Sequence, residues 1–148
     1  YGIAFNLALH LRQVLPDARI VDGGAGTVAD GFSGVTSADH VVIVAHARIG
    51  RDKRPLARYL SERGVPYSLL TDLPEGPDGF VARARTVLRA RTAGVGAFHD
   101  YAASLAVVHA LVAALEVAAP TARSRLTDAE LALAAFDAFA RDGPGGGR

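Results

Sequence analysis

Residues 39–72, DHVVIVAHARIGRDKRPLARYLSERGVPYSLLTD, constrain this chain more than any other stretch. Residues 40–45 form a run rich in Val and Ile, the composition of a strand covered on both faces. Residues 55–63 have helical periodicity, with Leu56, Tyr59 and Leu60 on one face. Gly64 stands where a helix end takes a left-handed residue, and Pro66 blocks continuation. Residues 67–70 read as the next strand. Two buried strands joined by a helix make a βαβ unit, which is right-handed in nearly every known case. The stretch therefore predicts an α/β fold built on a parallel, doubly wound sheet.

The rest of the chain extends the same pattern. Residues 1–15 predict a helix, with Leu7, Leu11, Val14 and Leu15 at helical spacing and Pro16 as the stop. A helix entering such a sheet normally follows a strand, so Tyr1 and Gly2 read as the tail of a strand-to-helix loop. Residues 18–21 predict a short strand before the turn at Asp22, Gly23 and Gly24, and residues 27–35 a weak helix. Residues 73–79 are a loop, 80–84 a helical turn, and 86–90 a strand whose alternating arginines place it at the sheet edge. Residues 100–119 predict the longest helix. It is apolar nearly all round, so it should be covered on two sides, by the sheet and by a second subunit. Pro120 breaks it. Thr127 and Glu130 have capping-box spacing and predict the start of a final helix running to about Arg141. Residues 1–141 read as one domain and 142–148, DGPGGGR, as a disordered tail.

Composition removes several functions. The chain has 148 residues, enough to bury roughly 70% of its unfolded surface. It has no cysteine, which excludes disulfides and thiolate chemistry. Five scattered histidines without HxxxH or HExxH spacing argue against zinc. No metal and no cofactor is expected. No apolar run approaches the ~20 residues that cross a bilayer, and no secretory pattern is visible. The expectation is a cytoplasmic protein without a membrane partner. The net charge of +1 points to no class of partner, and the absence of methionine, even at position 1, suggests a piece of a longer protein.

In an open parallel sheet, ligands bind outside the carboxyl ends of the strands. Four segments lie there: residues 1–2, 45–53, 71–79 and 91–100. The second, ending in HARIGRDKRP, sets Arg48, Arg51, Lys53 and Arg54 just before a helix N-terminus, where backbone amides and the helix dipole already favour anions. The charges read equally as an anion site or as a solvated loop. His46 follows the central strand, and His99 and Asp100 open the long helix. Histidine beside a carboxylate suits a general base. Asp100 also suits a plain N-cap and His99 a plain loop residue. Thr71 and Asp72, at a strand end, could touch a ligand or only begin a turn. His10 and His109 lie among apolar residues and read as core or interface histidines.

The order of these segments resembles the SIS (sugar isomerase) domain of RpiR/MurR-type bacterial transcription regulators, over about residues 2–141. Asp39 and the run that follows it resemble that family's aspartate and third strand. Arg48 falls where one branch has an arginine after that strand. Gly64 to Asp72 resembles its glycine, strand and threonine-aspartate, and Gly76-Pro77 stands in place of a Ser-Pro pair. Phe98, Asp100 and the helix after them resemble the close of the domain, and residues 125–139 its last helix.

The resemblance implies a three-layer α/β/α sandwich around a parallel, flavodoxin-like sheet whose first strand is missing from this chain. In the order 2-1-3-4-5 that strand would separate residues 18–21 from residues 41–45. The resemblance also implies binding of a sugar phosphate or related small anion, homodimerisation, and DNA contact only through an N-terminal helix-turn-helix domain that this chain lacks. Its site would draw on Gly2, Ala4, His46, Arg48, Arg51, Lys53, Thr71, Asp72, Gly76, His99, Asp100 and Tyr101. The departures are consistent in kind. Ala4, Gly76 and Tyr101 stand where SIS domains carry serines, and residues 45–53 hold no hydroxyl. Weak binding of hexose 6-phosphates is therefore expected, with Arg48 and Arg51 as the replacements. The leading reading is the effector-sensing and dimerisation domain of a regulator, without catalytic residues. A phosphosugar isomerase would need a base from among His46, Glu62, His99 and Asp100. A degenerate domain kept for assembly would need none.

Overall fold

The computed structural model describes residues 1–22, 28–47, 49–94 and 97–136. In chain order these form α1 (Gly2–Val14), α2 (Val28–Gly31), β1 (Val41–Val44), α3 (Lys53–Glu62), β2 (Tyr67–Thr71), β3 (Thr86–Arg89), α4 (Ala102–Ala118) and α5 (Ala122–Ala135). The three strands make one parallel sheet in the order β1-β2-β3. Ile43 stands opposite Leu69 and Leu69 opposite Val87, so side chains of one parity share a face across all three strands.

That register sorts the apolar residues into two cores. On one face Ile43, Tyr67 and Leu69 meet Ala57 and Leu60 of α3, Phe32 and Val35 after α2, and Phe80 and Val81. On the other, Leu70 and Ala90, with Val42, Val44 and Leu88, meet Leu7 of α1 and Val108 of α4. The sheet is thus the middle of three layers, as the unbroken Val/Ile composition of β1 predicts. Tyr67 is the largest of the fully buried side chains. Its hydroxyl donates to the Phe80 carbonyl at 2.8 Å, which removes the cost of burying it.

The turn from α3 to β2 follows from Gly64. It takes φ +66°, its N–H bonds the Ser61 carbonyl, and Val65 N–H bonds that of Leu60. This is the Schellman closure expected at residue 64, and Val65 carries the chain down into the core.

Two expectations need correction. Residues 18–21 form no strand. A strand exists through its ladder, and among the described residues no neighbouring strand pairs with it. The segment is held otherwise: Arg12 Nε donates to the Ala18 carbonyl, and Val21 lies so close to Gly31 that a β-carbon there would collide with it. Thr127 does not cap the last helix. α5 begins at Ala122, directly after Pro120, with Thr121 as its N-cap residue. The Thr127 hydroxyl bonds the Arg123 carbonyl one turn back, the use a threonine finds inside a helix. The expected tail at 142–148 lies outside the described residues.

α4 is apolar on both sides, as expected. Its inner side holds Ser104 and Val108, with Val107, Leu111 and Val112 packed against the core. Its outer side leaves Leu105, Ala106, Ala110, Ala113, Ala114 and Val117 exposed, Val117 at 89%. Among the described residues no single helix is long and apolar enough to cross a membrane. α4 and α5 reach that length only as a pair bent by 109°.

Candidate functional site

The carboxyl ends of all three strands open beside the N-terminal end of α4. β1 delivers His46, β2 delivers Asp72, and the loop after β3 delivers Thr92 and His99. α4 adds Tyr101 at its start and Ser104 within its first turn. Parallel strands bring these residues together because every strand ends at the same side of the sheet.

Two hydrogen-bonded pairs form the floor. Ser104 Oγ and His46 Nε2 lie 2.9 Å apart, with Ser104 fully buried and His46 only 9% exposed. The Thr92 hydroxyl, also fully buried, donates to Asp72 Oδ2. His99 Nδ1 stands 3.5 Å from the same hydroxyl oxygen, a long contact in which the imidazole N–H is the donor, since the hydroxyl proton is already used. Asp72 Oδ1 is buried and has no hydrogen-bond partner among the described residues. Tyr101 closes the site from outside. Its ring meets His46 edge-on, centroids 5.4 Å apart, and lies 6.2 Å from His99.

Burial lowers the pKa of His46 below the ordinary imidazole value. Asp72 opposes that shift, while His99 adds to it. His46 is therefore a neutral imidazole near pH 7. Its bond to a serine invites comparison with a nucleophile and its base, but a fully buried hydroxyl reaches no substrate. The pair holds α4 to the end of β1.

The other expected site residues are placed less centrally. Thr71 is fully buried, and its hydroxyl oxygen accepts the Leu73 N–H, shaping the chain's exit from β2. Asp100 is not the N-cap, which is Tyr101; it stands one residue earlier, where its carboxylate accepts the Ala102 N–H at 2.8 Å. Gly2 is exposed at the first turn of α1, with Ala4 half-buried behind it. Arg51 is exposed. Lys53 pairs with Asp52 at 2.7 Å, and Arg54 with Asp78 while covering the Phe80 ring. Gly76 lies in the exposed loop beside that second ion pair, where it helps line a shallow cleft with Arg54 and Phe80. Arg48 lies outside the described residues. His10 and His109 meet ring edge to ring face between α1 and α4, away from the strand ends.

No family model matches the sequence, and no curated protein matches it. Among solved structures, the sugar isomerase domain of an RpiR transcription factor from Sphaerobacter thermophilus superimposes with a TM-score of 0.76. The two are 28% identical, and the match covers 87% of this chain and 72% of that one.

The chain resembles an RpiR-type sugar isomerase domain.

Against that background the two residues missed in the sequence become informative. The serines expected of an SIS domain looked absent, with Tyr101 in place of the one that opens the last long helix. A buried serine nonetheless stands one turn further on, and Thr92 supplies a second hydroxyl from the loop after β3. Both hydroxyls are engaged, by His46 and Asp72, so neither is free for a phosphate. Ser104 could have been found as the one hydroxyl in an otherwise apolar helical run. Thr92, in a loop of small residues, gave no comparable signal.

Proposed function

We propose that this chain is the effector-sensing and dimerisation domain of an RpiR-type transcription regulator, responding to a carbohydrate derivative or related small anion. Similarity to the sugar isomerase domain of a transcription factor over most of the chain carries this reading. The strand ends fit it: His46 is buried and hydrogen-bonded to a buried serine, which leaves it poorly placed for proton transfer at a sugar carbon. DNA contact, on this reading, belongs to a helix-turn-helix domain outside these 148 residues. A ligand that bridges β1, β2 and α4 would bias the position of α4, whose outer apolar side would meet the second subunit. Ligand and dimer geometry would then be linked as a shift of population between two arrangements.

The test is operator binding by the full-length protein with and without sugar phosphates, acidic sugars and neutral sugars. A change in DNA affinity produced by one class is the expected result. Turnover of a phosphosugar by the purified protein would favour the isomerase reading instead. Hexose 6-phosphates should bind weakly, and tight binding of any anion should depend on Arg48. Micromolar hexose 6-phosphate binding that survives Arg48→Ala would sink that part of the proposal.

A further inference from the structure

A cleft of about 400 Å³ opens between α1 and α5, lined by Leu9, Arg12, Gln13, Arg125, Asp128 and Ala129. It shares no residue with the strand ends, and the effector reading gives it no role. Helical spacing builds it. Leu9, Arg12 and Gln13 stand at i, i+3 and i+4 in the last turns of α1, and Arg125, Asp128 and Ala129 repeat that spacing on α5. Each helix therefore turns one face to the cleft. The volume lies within the range of small-molecule sites, roughly 300–1,000 Å³.

Two guanidinium groups meet there. Arg125 Nη2 donates at 2.9 Å to the Arg12 carbonyl, one of the last carbonyls of α1, which the helix itself leaves unpaired. Arg12 Nε donates to the Ala18 carbonyl at 3.1 Å. These bonds fix both side chains and use only part of the donor set of each guanidinium. Arg125 Nε has no hydrogen-bond partner among the described residues. Asp128 lines the same cleft, yet neither arginine has a carboxylate within ion-pair distance among the described residues. Two cations held in one cleft without a counter-charge repel each other, and an anion between them relieves the repulsion. A guanidinium fork matches the oxygens of a phosphate or carboxylate, and here both forks are already positioned, which lowers the cost of ordering them. We propose that this cleft is an anion site separate from the strand ends, in which Arg12 and Arg125 together hold the phosphate or carboxylate group of a small molecule. Gln13 adds an amide donor, and Leu9 and Ala129 lie against the apolar part of the same molecule. Asp128 works against the anion and limits its affinity. An occupant ties α1 to α5, so its binding raises the stability of the folded chain. None of this rests on the regulator reading.

The experiment is titration calorimetry and thermal unfolding of the full-length protein with sodium phosphate and with sodium citrate, against sodium chloride at equal ionic strength. The expected result is saturable binding of phosphate or citrate, with a rise in unfolding temperature that chloride does not give. Arg12→Gln and Arg125→Gln should each weaken that binding about tenfold or more, the loss of a charge-assisted hydrogen bond. Asp128→Asn should strengthen it several-fold, because a like charge leaves the cleft. Circular dichroism shows whether each variant is folded. If Arg125→Gln unfolds because α1 loses the bond at its end, Arg12→Gln and Asp128→Asn still decide the matter. Absence of saturable binding of both anions overturns the proposal. So does binding that Arg12→Gln leaves unchanged, and so does binding that Asp128→Asn leaves unchanged or weakens.

Discussion

Ser104 and His46, 58 positions apart in the chain, are joined by a 2.9 Å hydrogen bond inside the protein. The bond links the first turn of α4 to the end of β1. Removing the serine hydroxyl leaves a buried imidazole nitrogen unpaired. Ser104→Ala should therefore cost about 1–3 kcal/mol of stability. Urea unfolding measures it, and a change within error of zero would mean that water replaces the hydroxyl.

Stability should also fall as the solution becomes acidic. Burial lowers the pKa of His46, and likewise of His40, where Arg85 adds to the effect and Ser68 Oγ lies 2.8 Å from Nε2. In the unfolded chain both return to about 6.5. Above that pH both states are neutral and the histidines have no effect. Below it the unfolded chain takes up protons that the folded chain refuses, so unfolding is favoured until the folded-state pKa values are passed. His46→Gln should flatten the fall in urea midpoint between about pH 7.5 and pH 5.5, the range that brackets the unfolded pKa. An unchanged slope would show that His46 is not the group responsible.

The exposed side of α4 predicts an oligomer. Leu105 and Val117 lie exposed among alanines, while Val108 is 1% exposed and packs inside the subunit. Charge at Val108 would therefore unfold the domain and reveal nothing about assembly. The informative variant is Leu105→Glu with Val117→Glu. It should give a folded monomer by circular dichroism and light scattering, where the unsubstituted protein is a dimer. A monomeric unsubstituted protein would refute the interface.

Gly64→Ala should destabilise the domain by about 1 kcal/mol, because alanine resists a positive φ. No β-carbon contact obstructs the change, so the backbone term is measured nearly alone. The check is thermal or urea unfolding.

The sequence by itself determined the layers. The apolar run of β1, the periodic face and glycine stop of α3, and the two-sided apolar helix α4 each encode burial locally, through side-chain period and turn chemistry. β3 announced its edge position by its arginines. The pairing partners were not encoded locally. Residues 18–21 carry strand composition but form no strand, because a strand is completed by a neighbour that may lie anywhere in the chain. Thr127 and Glu130 have the spacing of a cap, yet the helix begins earlier, where Pro120 and Thr121 already turn the chain. The site divides in the same way. His46, Asp72, His99 and Tyr101 were legible because the ends of parallel strands must converge. Ser104 and Thr92 became site residues only when the sheet register and the docking of α4 brought their hydroxyls against His46 and Asp72. A hydrogen bond between distant residues is fixed by packing geometry, and packing geometry exists only in the folded chain.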